Sequence, residues 1–274
     1  MALARHGARV AVNDSNTEGA ERVAAEIVAA GGEAIAHSAS VTDEARVAAI
    51  VNAITMDWGA VDILVNNAGI LRDKSFAEMD LADFRLVVDV HLMGAAICSK
   101  AVWSGMTARR YGQIVMTSSS SGLYGNFGQA NYGAAKMALV GLMQTLAIEG
   151  ERHDIRVNCL APTAATQMTD GVLTPDALAH LAPEAVSPGL IALVGENAPT
   201  RAILCAGAGH FASANITLTE GVYLGRSDDA AQRVADLWEH VTDRSGEIVP
   251  SYGFMQAERE LRKAGLGSPV TVAP

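Results

Sequence analysis

The chain has 274 residues, half of them hydrophobic and only 18% charged, enough to bury one large α/β core. A formal net charge of −10 argues against nonspecific nucleic-acid binding or adhesion to an anionic membrane. Cys98, Cys159 and Cys205 lack paired spacing, and no apolar run reaches the roughly 18 residues of a membrane span, so a soluble, cytoplasmic protein without a metal site is expected.

Residues 8–12 form a short apolar run ending in Asn13-Asp14, read as a buried strand. Ala20, Val23, Ala24, Ile27 and Val28 then recur at helical spacing, with Ser15 or Asn16 as the cap and Gly31-Gly32 as the stop. Residues 33–37 read as a strand, 42–58 as an amphipathic helix, and 61–65 as a third strand running into Asn66-Asn67-Ala68-Gly69. One long helix is expected over residues 80–109, and a fourth strand over 114–117. A helix then runs to about residue 150, followed by a fifth strand at 155–160 and a last at 202–205. This alternation predicts a Rossmann-like, doubly wound parallel sheet covered on both faces, with ligands at the carboxyl ends of its strands. From about residue 207 the rhythm loosens. Residues 1–206 therefore read as the main domain, and 207–274 as an extension with helices near 228–242 and 255–264.

Tyr132 and Lys136 share one helix face, an i, i+4 pair, and Ser119 precedes Tyr132 by 13 positions. A tyrosine titrating near 10 needs a shift of about three units, or roughly 4 kcal/mol, to work near pH 7. One cation at about 4 Å in an effective dielectric of about 20 supplies that much. The chemistry suggested is proton transfer at a carbonyl or alcohol oxygen.

With Asn66-Asn67-Ala68-Gly69, Ser119, Tyr132 and Lys136 in this order, residues 2–206 resemble a short-chain dehydrogenase/reductase. Residues 69–76 and 122–132, Ala161-Pro162 with Met168-Thr169, and Gly207-Ala208-Gly209 are similar, more narrowly, to the (3R)-hydroxyacyl-CoA dehydrogenase domain of peroxisomal multifunctional enzymes of type 2. The resemblance implies Tyr132 as general acid/base, Lys136 lowering its pKa and holding the nicotinamide ribose, and Ser119 holding the carbonyl oxygen. His91 stands where most of the family carries an asparagine that orders a water, so it is either a relay or a satisfied interior histidine. For the cofactor, Asp14 at a strand end is placed to accept the adenosine ribose hydroxyls and to repel a 2′-phosphate, favouring NAD. Ser40-Val41 would flank the adenine, with serine in place of the family's acid, and Asn67, Ala68 and Gly69 would line the cofactor, as would Pro162 and Thr166. Arg72 and Lys74 read mainly as solvated loop charges.

The resemblance also implies a Thr-Gly-x-x-x-Gly-x-Gly turn ahead of the helix that ends near His6. Only 13 residues precede Asp14, whereas a βαβ unit needs about 30, so the first strand and glycine loop are expected to be absent and NAD binding by residues 1–274 weak. The overall expectation is an NAD-dependent oxidoreductase interconverting a 3-hydroxyacyl thioester and its 3-keto form, as a homodimer or homotetramer. The alternatives are a 3-oxoacyl-carrier-protein reductase, a steroid or alcohol dehydrogenase, or a non-catalytic partner subunit.

Overall fold

A computed structural model describes residues 1–165 and 174–266. It divides into two compact units, Met1–Ala214 and Asn215–Pro274.

The first unit begins with a single helical turn, α1 (Ala2–Arg5), which Gly7 ends at φ +86°, a backbone angle that favours glycine. Strand β1 (Val10–Asp14) follows, then helix α2 (Thr17–Ala29), whose cap is Asn16: its side chain accepts the Gly19 amide at 3.2 Å. Strand β2 (Ala34–Ser38), helix α3 (Glu44–Trp58) and strand β3 (Ile63–Asn66) continue the alternation. Helix α4 (Leu81–Val88) leads through a π turn, Asp89–Met93, into α5 (Gly94–Arg109), so the long helix expected from periodicity is interrupted in its middle. After β4 (Gly112–Thr117) come the short α6 (Ser120–Tyr124) and the 22-residue α7 (Ala130–Glu151). Then follow β5 (Ile155–Thr163), α8 (Pro175–His180), a 3₁₀ turn (Pro183–Ala185), α9 (Ser187–Val194), β6 (Ile203–Gly207) and β7 (His210–Ala214).

All strands but β7 pair in parallel, as the βα alternation requires. The sheet is broken into two pieces: β1 pairs only with β2, and the other five strands run in the order β3-β4-β5-β6-β7. Every residue of β4 is buried, and Met106, Ile114, Met116, Leu139, Met143 and Val157 close the principal core between the sheet, α5 and α7. A second cluster, with Val115, Leu160 and Leu193, fills the opposite face beneath α9.

Sequence reading missed β7. It forms an antiparallel hairpin with β6 through Ala208 and Gly209, both at positive φ, so the sheet continues to Ala214 and the extension starts later than residue 207. In the second unit the helix expected over 228–242 is two pieces, α10 (Ala230–Asp236) and α11 (Trp238–Val241), parted at Leu237. Helix α12 (Met255–Lys263) turns Arg259 and Lys263 toward Glu220. No described residue of this unit is fully buried.

Candidate active site

The carboxyl ends of β3, β4 and β5 set the candidate site, because a parallel sheet directs its loops to one edge. At the end of β4, Thr117 hands the chain to Ser118 and Ser119. Ser118 is buried and its hydroxyl donates to the Lys136 carbonyl at 2.9 Å. Ser119 caps α6, its Oγ accepting from the Ser121 amide at 3.2 Å, and its side chain also bonds Tyr132. The elements meet closely: a Cβ on Gly122 would lie 2.7 Å from the Lys136 Cβ and 2.9 Å from its carbonyl carbon. Glycine there lets α6 settle on α7 and brings Ser119 to Tyr132.

Lys136 is only 3% exposed, and its Nζ donates to the Thr117 carbonyl at 2.6 Å. Burial lowers its pKa to about 8, with the neighbouring Cys159 acting in the opposite sense. The ammonium lies 5.5 Å from the Tyr132 ring centroid, over the face of the ring. This corrects the expectation that Lys136 pulls the phenol down. Burial instead pushes Tyr132 above its ordinary value, the Ser119 hydrogen bond opposes this, and Asp73 reinforces it. A cation over the ring has less leverage on the hydroxyl than one beside it, and desolvation of the anion wins.

His91 sits on the π turn, a local distortion that often marks functional positions. It is 2% exposed, and its Nε2 lies 3.0 Å from the Ile70 amide nitrogen and 2.9 Å from the Ile70 carbonyl oxygen. Its ring meets Tyr132 edge-on at 5.2 Å, and its Nδ1 is buried without a hydrogen-bond partner. Burial first, and the Lys136 charge second, lower its pKa to about 4 against the backbone bond to Ile70, so the ring is neutral at pH 7. A Cβ on Gly69 would fall 2.3 Å from His91 Cε1, so the Asn-Asn-Ala-Gly turn needs its glycine to admit this imidazole.

Asn131 went unremarked beside Tyr132 in the sequence, yet it is fully buried. Its Nδ2 donates to the Arg72 carbonyl at 2.9 Å, while its Oδ1 accepts the Tyr132 amide at 2.7 Å. The Lys74 amide donates to the Gly128 carbonyl at 2.9 Å, and Gln129 donates to Asp73 at 2.7 Å. These bonds hold the loop after β3 over the start of α7. Arg72 is engaged by Asp83 at 3.7 Å.

Of the cofactor candidates, Asp14, Ser40, Val41, Asn67, Ala68 and Gly69 line one cleft of about 690 Å³, with His91 among them; Ser119, Tyr132, Lys136 and Pro162 lie outside its lining. Asp14 is exposed at the end of β1 with one carboxylate oxygen accepting the Asn16 amide at 2.9 Å. The Ser40 hydroxyl bonds Thr42 at 2.8 Å, and Thr117 donates to Asn67 at 3.2 Å. Pro162 lies within β5, and Thr166 lies outside the described residues. An acidic strand end, a polar turn and an apolar wall at Val41 in one cleft fit a dinucleotide's ribose and base. No group of three His, Cys, Asp or Glu among the described residues is placed to hold a metal.

The sheet, the strand-end cleft and the Ser–Tyr–Lys cluster together define a Rossmann-like oxidoreductase fold. The short chain dehydrogenase family matches residues 1–176, and the chain belongs to that family. It is 41% identical over 261 residues to peroxisomal multifunctional enzyme A of Dictyostelium discoideum, covering 92% of this chain and 58% of that protein. A short-chain type dehydrogenase/reductase of Mycobacterium tuberculosis is 38% identical over 262 residues, covering 92% of this chain and 91% of that one. The structure of full-length peroxisomal multifunctional enzyme type 2 from Drosophila melanogaster superposes with a TM-score of 0.78 at 35% identity, covering 94% of this chain and 49% of that one. The chain thus spans about half the length of the multifunctional relatives.

Proposed function

We propose that the protein oxidises a 3-hydroxyacyl thioester to its 3-keto form with NAD, in the reversible sense. The observation that carries the reading is the Ser119–Tyr132–Lys136 cluster packed beneath the loop held by Asn131. Relatives named peroxisomal hydratase-dehydrogenase-epimerase, from Saccharomyces cerevisiae at 40% identity over 255 residues, support the substrate class. A hydratase coupled to a dehydrogenase implies an alcohol made by adding water across a double bond, which is what a 3-hydroxyacyl chain is.

The nicotinamide dinucleotide, when bound, supplies the hydride acceptor. Asp14, Ser40-Val41, Asn67 to Gly69 and Lys136 would hold it, and the Asp14 carboxylate would repel a 2′-phosphate, favouring NAD over NADP. Ser119 donates its hydroxyl hydrogen to the substrate oxygen and fixes its direction. Tyr132 takes the hydroxyl proton on oxidation and returns one on reduction. The buried Lys136 would hold the nicotinamide ribose, the Ser119 hydrogen bond favours the phenolate, and neutral His91 keeps the Ile70 backbone and the Tyr132 ring in register. The protein acts in the cytoplasm as a homodimer or homotetramer in this reading, joined through α5 and α7.

The test is NADH formation from a series of 3-hydroxyacyl-CoA thioesters, with NADP as the control. Tyr132→Phe should lose activity by about 10²-fold or more, the scale of one acid/base group. Because burial holds the phenol high, oxidation by the native protein should quicken as pH rises above neutral. A preference for NADPH and acyl-carrier-protein thioesters would instead support a 3-oxoacyl reductase. A relative of that name from Synechocystis is 40% identical over 174 residues.

A further inference from the structure

We propose that Asp73 is a specificity-determining residue, whose carboxylate turns away ligands carrying a negative charge beside the reacting carbon. The site thus takes a 3-hydroxyacyl group as a neutral ester or thioester and rejects the free 3-hydroxy acid. The inference rests on the reading of Tyr132 as acid/base at a carbinol. Three consecutive residues after β3 are clamped to three positions at the start of α7. The Arg72 carbonyl accepts from Asn131 Nδ2 at 2.9 Å, the Asp73 carboxylate accepts from Gln129 Nε2 at 2.7 Å, and the Lys74 amide donates to the Gly128 carbonyl at 2.9 Å. Gln129 is oriented in turn, because its Oε1 accepts from Asn126 Nδ2 at 3.1 Å and leaves its amide hydrogens for Asp73. The clamp fixes the carboxylate beside the first turn of α7, the turn that carries Tyr132.

The charge held there is uncompensated. Among the described residues no lysine or arginine pairs with Asp73, and its neighbour Arg72 is engaged instead by Asp83 at 3.7 Å. Burial raises the Tyr132 phenol, the Ser119 hydrogen bond opposes the rise, and the Asp73 charge adds to it, so the field of the carboxylate reaches the reacting oxygen. The other groups facing the phenol do not cancel it. His91 is neutral at pH 7, and the Lys136 ammonium is buried over the ring face and bonded to the Thr117 carbonyl. Asp73, by contrast, is exposed and meets a ligand arriving from solvent.

The chemistry of the ligand decides what that field does. In a free 3-hydroxy acid the carboxylate lies two bonds from the carbinol carbon. Setting the hydroxyl on Ser119 and Tyr132 therefore brings the acid's charge close to the phenol and into the field of Asp73. Two like charges roughly 8–10 Å apart near a protein surface, at an effective dielectric of about 20, weaken binding by about tenfold relative to a neutral group. An ester or thioester of the same acid carries no charge at that carbon. Phosphates at the far end of a carrier lie beyond the Debye length of about 8–10 Å and are screened, so a charged carrier is tolerated where a charged acyl end is not.

The test compares 3-hydroxybutyrate with its methyl ester as substrates, with NAD, for the native protein, Asp73→Asn and Asp73→Glu. Asparagine keeps an acceptor for Gln129 and loses the charge, whereas glutamate keeps the charge. The preference for the ester, taken as a ratio of kcat/KM, should fall about tenfold in Asp73→Asn and persist in Asp73→Glu. A ratio unchanged in Asp73→Asn, or lost equally in both variants, would overturn the proposal. A second readout needs no turnover: 3-fluorotyrosine in place of Tyr132, followed by fluorine NMR, should titrate at lower pH once Asp73 is asparagine. An unmoved titration would also overturn the proposal. A lowered titration with neither substrate oxidised would uphold the charge at the phenol and sink the hydroxyacyl reading instead.

Discussion

Acidification should unfold this protein partly through one buried side chain, His91. Its pKa in the folded state is about 4, against an ordinary value of 6.5. Protonation is thus disfavoured in the native state, and the unfolded chain binds more protons between those two values. Stability is unaffected above about pH 6.5, falls as pH drops through the window, and levels off below about pH 4. The whole gap corresponds to about 3 kcal/mol, most of it reached by pH 4.5. That is a large fraction of a typical domain stability of about 5–15 kcal/mol. The assay is urea denaturation at pH 7 and pH 4.5 for the native protein and for His91→Asn, which has no proton to gain. Carboxylates titrate in both, so the difference between the two pH losses isolates the imidazole. The native protein should lose roughly 2–3 kcal/mol more than the variant. Equal losses would refute the claim that His91 is buried and neutral beside Lys136.

Three further outcomes follow from close contacts. Gly69→Ala would drive a methyl to 2.3 Å from the His91 ring, and overpacking of this kind costs about 1–3 kcal/mol; thermal denaturation should show the loss, and Gly69→Ala combined with His91→Ala should recover part of it. Gly122→Val should lift α6 from α7, moving Ser119 away from Tyr132, so turnover should fall while circular dichroism keeps its helical signal. Asn131→Leu leaves the Arg72 carbonyl and Tyr132 amide without their partner at a cost of about 1–3 kcal/mol each where they remain buried, measurable as a lower urea midpoint; an unchanged midpoint would mean that water replaces the side chain.

The local pattern of apolar runs, helical spacing and turn residues sufficed for the order of the strands from β1 to β6 and for α2, α3 and α7, because each signal lies within a few residues, whereas α6, α8 and α9 went unread. The local pattern also sufficed for the Tyr132–Lys136 face, since an i, i+4 relation is built into the helix, while the cap of α2 was narrowed only to Ser15 or Asn16 and the structure chose Asn16. Tertiary structure alone decided the rest. The π turn under His91 carries no sequence mark of its own, and the helix expected over residues 80–109 is seen to be interrupted there only in the folded chain. β7 has no run of its own; its antiparallel pairing depends on Ala208 and Gly209 at positive φ and on the edge offered by β6. The elevated phenol of Tyr132 is likewise a property of place. Spacing puts Lys136 on the same face, but only packing decides that its ammonium lies over the ring, bonded to Thr117, while burial governs the hydroxyl.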